Sequence, residues 1–457
     1  MRRQTLLLAA LLVGASPPPA RAQGASSPAA RTPNVVLILM DDLGYGDLGS
    51  YGAPDVRTPN IDRLAREGVR LTDAYANGAV CTPTRTALIT GRYQQRVGLE
   101  WVLTLARPAD RELGLPALGT SLPALLKTNG YATGLVGKWH LGFKPEFGPM
   151  AHGFDEFYGF LGAAHDYYTS GVDAAGTGQS DLYENTTPVE PAGYLTDEIT
   201  RRAVSFVTRH ADGRFFLEVA YNAVHWPFEP PDRPPPSKTE RTSPSRLVQM
   251  PDDSVPATRL DYVRMLERAD QGVGEILAAL EGRGLARNTL VIFTNDNGGE
   301  WLSRNAPFFH RKGTLWEGGI RVPLIFRWPG QLPAAKTSAQ PAITFDITAS
   351  ILAATRTPLP EGYHPDGIDL LPVLRGDSPA VERRLFWRIN RPNRQQRAVR
   401  SGRWKLLVDG GQYMLFDLGV DPGERTDLAA RHPDMVVALK GALADWERDV
   451  DQEIRNR

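Results

Sequence analysis

The sequence predicts an α/β protein, a large domain with a mostly parallel central sheet between helices, followed by a small C-terminal α+β subdomain. Three observations carry this expectation. Short apolar runs recur that are continuous rather than alternating, the pattern of strands buried on both faces. Amphipathic stretches at helical spacing lie between those runs. After about residue 379 the pattern changes to short strands separated by turns, then one long helix. With 457 residues, 42% hydrophobic and 23% charged, the chain has the material for a large core and is too apolar for disorder. Lys+Arg and Asp+Glu are 52 each, a formal net charge of zero. That balance argues against a nucleic-acid binder, whose footprint is basic.

Taken in order, residues 1–22 read as a secretory signal peptide: Arg2-Arg3, an apolar stretch over 6–15, and Ala20-Arg21-Ala22 as the cleavage site. Residues 23–32 read as a flexible N-terminal segment. The apolar stretch is too short to span a bilayer, and no later run reaches the roughly 20 residues a membrane helix needs. The expectation is an exported protein, periplasmic or secreted, with no membrane span. The large domain is expected over 33–379. Its buried strands lie near 35–40, 134–136, 215–220, 290–293 and 324–326. Thr58-Pro59 opens a helix with Ile61, Leu64 and Ala65 on one face and Gly68 closing it. Thr82 and Pro83 read as N-cap and first-turn proline of another, with Gly91 as its stop. Residues 226–256, rich in Pro, Ser, Asp and Arg, read as a long surface loop and a candidate rim of the site. Tyr262, Met265, Leu266, Ala269, Val273, Ile276, Leu277 and Leu280 recur at helical spacing. The subdomain, 380–457, is expected to hold antiparallel strands near 385–388, 398–400, 404–408 and 413–416 and a helix over about 433–450.

Polar clusters follow the predicted strands. Asp41-Asp42 comes after the first, Lys138-Trp139-His140 after the second, His225 after the third and Asp296-Asn297 after the fourth. Singly, each reads as readily as turn chemistry or a structural histidine. Ligands of open α/β sheets bind beyond the carboxyl ends of the strands, so together the clusters would converge on one edge. Asp41, Asp42, Asp296 and Asn297 offer oxygen donors only, which suits Ca²⁺ or Mg²⁺ rather than zinc, and crowded carboxylates need a cation among them. Ca²⁺ is the expectation. The single cysteine, Cys81, excludes an intramolecular disulfide and is either a small buried hydrophobe or a reactive or modified side chain. At a helix N-terminus, with Arg85 one turn on, it would sit where negative charge is stabilised.

Cys81-x-Pro83-x-Arg85, continuing through Leu88-Ile89-Thr90-Gly91-Arg92, resembles the first signature of the type I sulfatases. Gly130-Tyr131-Ala132-Thr133 through Gly137-Lys138-Trp139-His140-Leu141-Gly142 resembles their second. The segments at 33–44, 294–298 and 312–321 are similar too, so the resemblance runs from about residue 33 to the end. It implies an alkaline-phosphatase-like fold and a Cys81 oxidised to formylglycine by a maturing enzyme that acts on the unfolded chain. One hydroxyl of the hydrated aldehyde then attacks sulfur, and the second lets the aldehyde re-form and sulfate leave. By the same resemblance Asp41, Asp42, Asp296 and Asn297 hold Ca²⁺ together with modified Cys81. Arg85 and Lys138 steady the hydrate, and His140 takes the second hydroxyl's proton. Lys312 and His225 clamp the sulfate, with His225 the proton donor to the leaving oxygen.

In Gly162-Ala163-Ala164-His165-Asp166, Ala164 stands where some relatives carry Ser, so His165 either replaces that sulfate contact or binds a sugar. The expected substrate is a sulfated carbohydrate in preference to an aryl sulfate, with Tyr167, Tyr168 and Trp301 either sugar platforms or packing. Two other functions fit less well: a formylglycine-dependent phosphonate or phosphate ester hydrolase, and an inactive glycan-binding protein. The second should have lost ligands, and none is missing.

Overall fold

The structure is a computed structural model that describes residues 32–168, 181–233, 257–391 and 393–455. The predicted signal peptide, residues 23–31 and the 234–256 part of the predicted loop lie outside the described residues. No described helix is long and apolar enough to cross a membrane.

Ten strands form the main sheet, in the order Lys336–Ser338, Val69–Leu71, Leu324–Arg327, Thr289–Asn295, Asn34–Met40, Phe215–Ala220, Ala132–Lys138, Glu156–Phe160, Leu182–Glu184 and Thr187–Pro188. The five from Thr289–Asn295 to Glu156–Phe160 are mutually parallel. Antiparallel pairing is confined to the flanks, where Leu324–Arg327 runs against both neighbours and Leu182–Glu184 against Glu156–Phe160. The sheet is therefore mixed, with a parallel centre. The Asn34–Met40 strand shows why its sequence is apolar throughout. Val36, Ile38 and Met40 pack on one face, in a core shared with the helices Pro59–Glu67, Leu195–Arg209 and Arg259–Gly282. Val35, Leu37 and Leu39 pack on the other, with the helices Cys81–Thr90, Leu122–Thr128 and Thr344–Ala354. A strand covered on both sides has no solvent face to make polar.

All eight periodic positions of the Arg259–Gly282 helix are buried. Thr258 caps it: its side chain accepts from Asp261 N–H while the Asp261 carboxylate accepts from Thr258 N–H. The helix carrying the cysteine differs from expectation. It begins at Cys81 itself, with Val80 as an N-cap that offers no side-chain acceptor. Thr82 is not the cap, because its hydroxyl is used elsewhere: it donates to the His140 carbonyl (3.1 Å) and accepts from Leu103 N–H (3.2 Å). Pro83 is tolerated because first-turn N–H groups have no partner within a helix.

Beyond the main sheet, Arg384–Arg391, Arg394–Ser401, Trp404–Asp409 and Gln412–Asp417 form a four-stranded antiparallel sheet in sequential order. The Pro433–Arg455 helix follows, five residues longer than expected. Leu385, Trp387, Leu406 and Leu415 of this sheet share a core with Leu439, Leu443 and Trp446 of the helix and with Tyr75, Ala87, Ile343 and Phe345 of the larger part.

Candidate active site

Four adjacent strands of the parallel centre deliver the polar clusters to one edge. Thr289–Asn295 leads into Asp296-Asn297, Asn34–Met40 into Asp41-Asp42, Phe215–Ala220 into Asn222 and His225, and Ala132–Lys138 ends on Lys138 with His140 beyond. Asp42 and His140 both adopt φ of 61°, a left-handed backbone that non-glycine residues rarely take and that is often retained at functional sites.

The geometry pairs each carboxylate with its own cation. Lys138 Nζ lies 2.6 Å from Asp41 Oδ2, Lys312 Nζ 2.7 Å from Asp42 Oδ2, and Arg85 Nη2 2.9 Å from Asp296 Oδ2. Arg85 is itself buried and also donates to the Lys138 carbonyl (3.0 Å), so it links the ends of two strands that two others separate. Burial pushes the Asp41 and Asp42 carboxyls up, but Lys138 and Lys312, each with His225, outweigh it and hold both below the usual range. Asp296 goes the other way: burial and the Asp41 charge raise it more than Arg85 lowers it. Three carboxylates are held close, and one of them is under electrostatic pressure.

Asp41, Asp42, Cys81 and His225 each bring a ligand atom within 4.8 Å of the others. The Cys81 thiol points at Asp41 Oδ1 (3.6 Å) and His225 Nε2 at Asp42 Oδ2 (3.6 Å). Asp296 and Asn297 adjoin this group through Asp42, which donates its N–H to Asp296 Oδ1 (3.4 Å) and accepts from Asn297 Nδ2 (2.7 Å). Asn297 Oδ1 is buried with no hydrogen-bond partner among the described residues. A hard cation among these carboxylates would give that oxygen a partner and relieve Asp296, so the donor set fits a divalent metal.

The two histidines are held by carbonyls. His140 Nε2 bonds the Leu103 carbonyl (2.8 Å), which can only accept, so the proton is on Nε2 and the lone pair on Nδ1. That Nδ1 is buried with no partner among the described residues. Burial and Lys138 push His140 well below its usual value, so the imidazole is neutral. His225 Nδ1 bonds the Trp226 carbonyl (2.6 Å), which leaves Nε2 toward Asp42; burial and Lys312 lower its pKa too. The Cys81 thiol, at the first residue of its helix, is driven well above its ordinary pKa by burial.

Burial decides the alternative left open for Tyr167. Tyr167 is fully buried and donates to the carbonyls of Asn222 (3.0 Å) and His225 (2.9 Å), so it buttresses the His225 loop and offers no face to a sugar. His165 is buried, with Nδ1 on the Asp166 carbonyl (2.6 Å) and its ring 5.0 Å from that of Phe160. Tyr168 is partly buried, its hydroxyl donating to the Pro230 carbonyl (2.7 Å). Two residues went unnoticed in the sequence. Glu300 is the second partner of Lys312, at 3.4 Å, and burial with the Asp42 charge raises it to about 7. Asn222, just past its strand, is buried with neither amide atom hydrogen-bonded among the described residues. Glu300 follows the Asp296-Asn297-Gly298 run without a spacing of its own, and Asn222 has no charge to mark it.

Cations balanced against carboxylates around a buried cysteine, at the carboxyl edge of the parallel centre of a mixed sheet, suit an anionic substrate and a divalent metal. The comparisons make this specific. The sulfatase family profile matches residues 33–357, and the profile of the N-sulphoglucosamine sulphohydrolase C-terminal region matches 306–448. N-acetylgalactosamine-6-sulfatase of Rattus norvegicus is 36% identical over 438 residues, 90% of this chain and 78% of that protein. Steryl-sulfatase of Mus musculus is 30% identical, covering 95% and 84%. Among solved structures, Ps i-CgsB superposes with a TM-score of 0.82 at 32% identity, over 93% of this chain and 94% of that one. It has also been solved in complex with k-i-k-neocarrahexaose. The chain belongs to the sulfatase family and is a sulfuric ester hydrolase. That family generally works with formylglycine and a divalent metal.

Proposed function

We propose that this chain, exported by its N-terminal signal, hydrolyses sulfate esters of sulfated glycans. It does so with Cys81 converted to formylglycine by a maturing enzyme and Ca²⁺ held by Asp41, Asp42, Asp296, Asn297 and residue 81. The observation that carries this reading is the buried charge cluster at the carboxyl edge of four adjacent strands, with Cys81 opening a helix in its midst. When bound, the metal supplies Lewis acidity and formylglycine supplies a nucleophile that a neutral, buried thiol does not. Lys138 and Arg85 position Asp41 and Asp296 and keep the strand ends in register. Lys312, on the exposed side of the cluster, is placed to meet the sulfate oxygens. His140 Nδ1, its lone pair without a partner among the described residues, is the base that accepts a proton from residue 81. With Nδ1–H tied to the Trp226 carbonyl, His225 Nε2 is the ring position that faces the site, and it is from the imidazolium form that Nε2 gives a proton to the leaving oxygen. Glycan preference draws support from the sugar-sulfatase relatives and from the complex of Ps i-CgsB with a carrageenan oligosaccharide.

The test combines chemistry and substrate. Mass spectrometry of the peptide holding Cys81 is expected to show loss of sulfur and gain of an aldehyde. Chelation should abolish hydrolysis of nitrophenyl sulfate and of sulfated galactosamine oligosaccharides, and Ca²⁺ should restore it better than Zn²⁺. Full activity of a protein with an unmodified Cys81 after exhaustive chelation would overturn the reading.

A further inference from the structure

A cavity of about 390 Å³ lies beside the charge cluster, with Glu300, Trp301, Phe308, His310, Arg311 and Arg425 in its walls. Glu300 is the wall it shares with the site, since Glu300 Oε2 is 3.4 Å from Lys312 Nζ, which in turn is 2.7 Å from Asp42 Oδ2. The two arginines are exposed. The Arg311 guanidinium lies 5.9 Å from the centre of the Trp301 ring, and that of Arg425 lies 4.9 Å from the Phe309 ring. Stacking of this kind is common and by itself marks nothing. Among the described residues neither forms an ion pair, which is also true of other exposed arginines such as Arg57 and Arg66; what these two share is a place in the walls of one cavity beside the charge cluster. Positive potential extends to His310, which partial burial, Arg394 and Arg311 push below its usual pKa. In a chain of zero net charge, two unpaired cations and an indole ring around one cavity form a local anion-selective surface.

We infer that this cavity is a subsite for a second anionic group, a sulfate or carboxylate on the sugar adjoining the one whose ester is cleaved. Arg311 and Arg425 pair with that group while Trp301 lies against the sugar face. The proposal rests on the glycan reading above and adds to it that the preferred substrate is polyanionic. It also accounts for Glu300, which caps the cluster end of the cavity and confines the second anion to the arginine end.

The test compares wild type, Arg311→Gln, Arg425→Gln and the double variant on nitrophenyl sulfate, a singly sulfated disaccharide, and the same disaccharide sulfated on both sugars. The wild type should prefer the doubly sulfated substrate, with a KM that rises as salt is added. The double variant should lose about tenfold in kcat/KM on it, through KM, as expected for two exposed ion pairs. The other two substrates should change less than about twofold, and thermal unfolding should match wild type. Equal wild-type rates on the two disaccharides, or equal losses on all three substrates, would overturn the subsite and leave the glycan reading standing. Cleavage of nitrophenyl sulfate with neither disaccharide turned over would overturn both.

Discussion

At the scale of single residues, the site is an exercise in cancelling charge. Asp41, Asp42 and Asp296 are matched by Lys138, Lys312 and Arg85, so the protein's own contribution is close to neutral. A divalent metal would then leave a surplus of two positive charges, equal and opposite to the charge of the sulfate dianion released. The consequence falls on proton transfer. A site already crowded with cations disfavours an imidazolium, and His140, buried beside Lys138, is pushed well below its ordinary value. Its Nδ1 is therefore a base across the neutral range. The sign follows directly: the basic form, and with it activity, is full above the His140 pKa and lost as pH falls through it. Because that pKa is lowered, the loss belongs below pH 6.5. We expect His140→Gln to keep the wild-type unfolding temperature within a few degrees and to lower kcat by about 10²- to 10⁴-fold. A kcat–pH profile with an acid limb at 6.5 or above that persists in His140→Gln would show that some other group is the base.

At the scale of elements, what matters is how closely strands approach where they hand over to the site. Gly137 immediately precedes Lys138 and has φ of 113°; a Cβ there would stand 1.9 Å from the Ala220 carbonyl oxygen on the adjacent strand. Gly137→Ala must separate the strands that position Lys138 and Asn222. It should cost roughly 2 kcal/mol or more and at least tenfold in kcat. Gly282→Ala, at the end of a helix with nothing within 4 Å of its new methyl, should change stability by less than about 1 kcal/mol. Chemical denaturation and kcat of both variants check the contrast, and a Gly137→Ala protein indistinguishable from wild type would refute it. The same handover points explain what was legible in the sequence. Strands apolar on both faces, such as Asn34–Met40, announce a parallel centre, and the charged residues after them can lie only at its edge. The antiparallel run of Leu324–Arg327 was not legible, because an apolar run carries no direction. Thr82 looked like a cap because its hydroxyl suits one; the competing partners, Leu103 and His140, are 21 and 58 residues away. Tyr167 stayed open between sugar platform and packing because sequence gives a ring but not its burial.

At the scale of the molecule, the C-terminal sheet is joined to the segment that carries Lys312. Lys405, in its third strand, places Nζ 2.9 Å from Glu317 Oε1 and 2.8 Å from Glu424 Oε1, with all three side chains fully buried. Glu317 opens the short helix five residues after Lys312, and also takes an ion pair from Arg321 (2.6 Å) and the Tyr75 hydroxyl (2.9 Å). Burial pushes Glu317 up, yet Arg321 and Lys405 hold it down to about 2, while burial carries Glu424 up to about 7 against the pull of Lys405. Two acids share one lysine, and Glu317 keeps the larger share because Arg321 supports it. Removing the lysine leaves buried carboxylates underpaired, which costs about 3–5 kcal/mol in comparable buried networks. A group whose folded pKa is raised above its unfolded value binds more protons when folded, so its stability contribution is present at low pH and lost as pH rises. Lys405→Met raises Glu424 further. Its destabilisation should therefore be smaller at pH 5 than at pH 8, in urea unfolding at the two values. Displacement of the Glu317 helix should also raise KM for nitrophenyl sulfate at pH 8, through Lys312. Equal stability of variant and wild type at both pH values would show that the two parts are held by their shared apolar core alone.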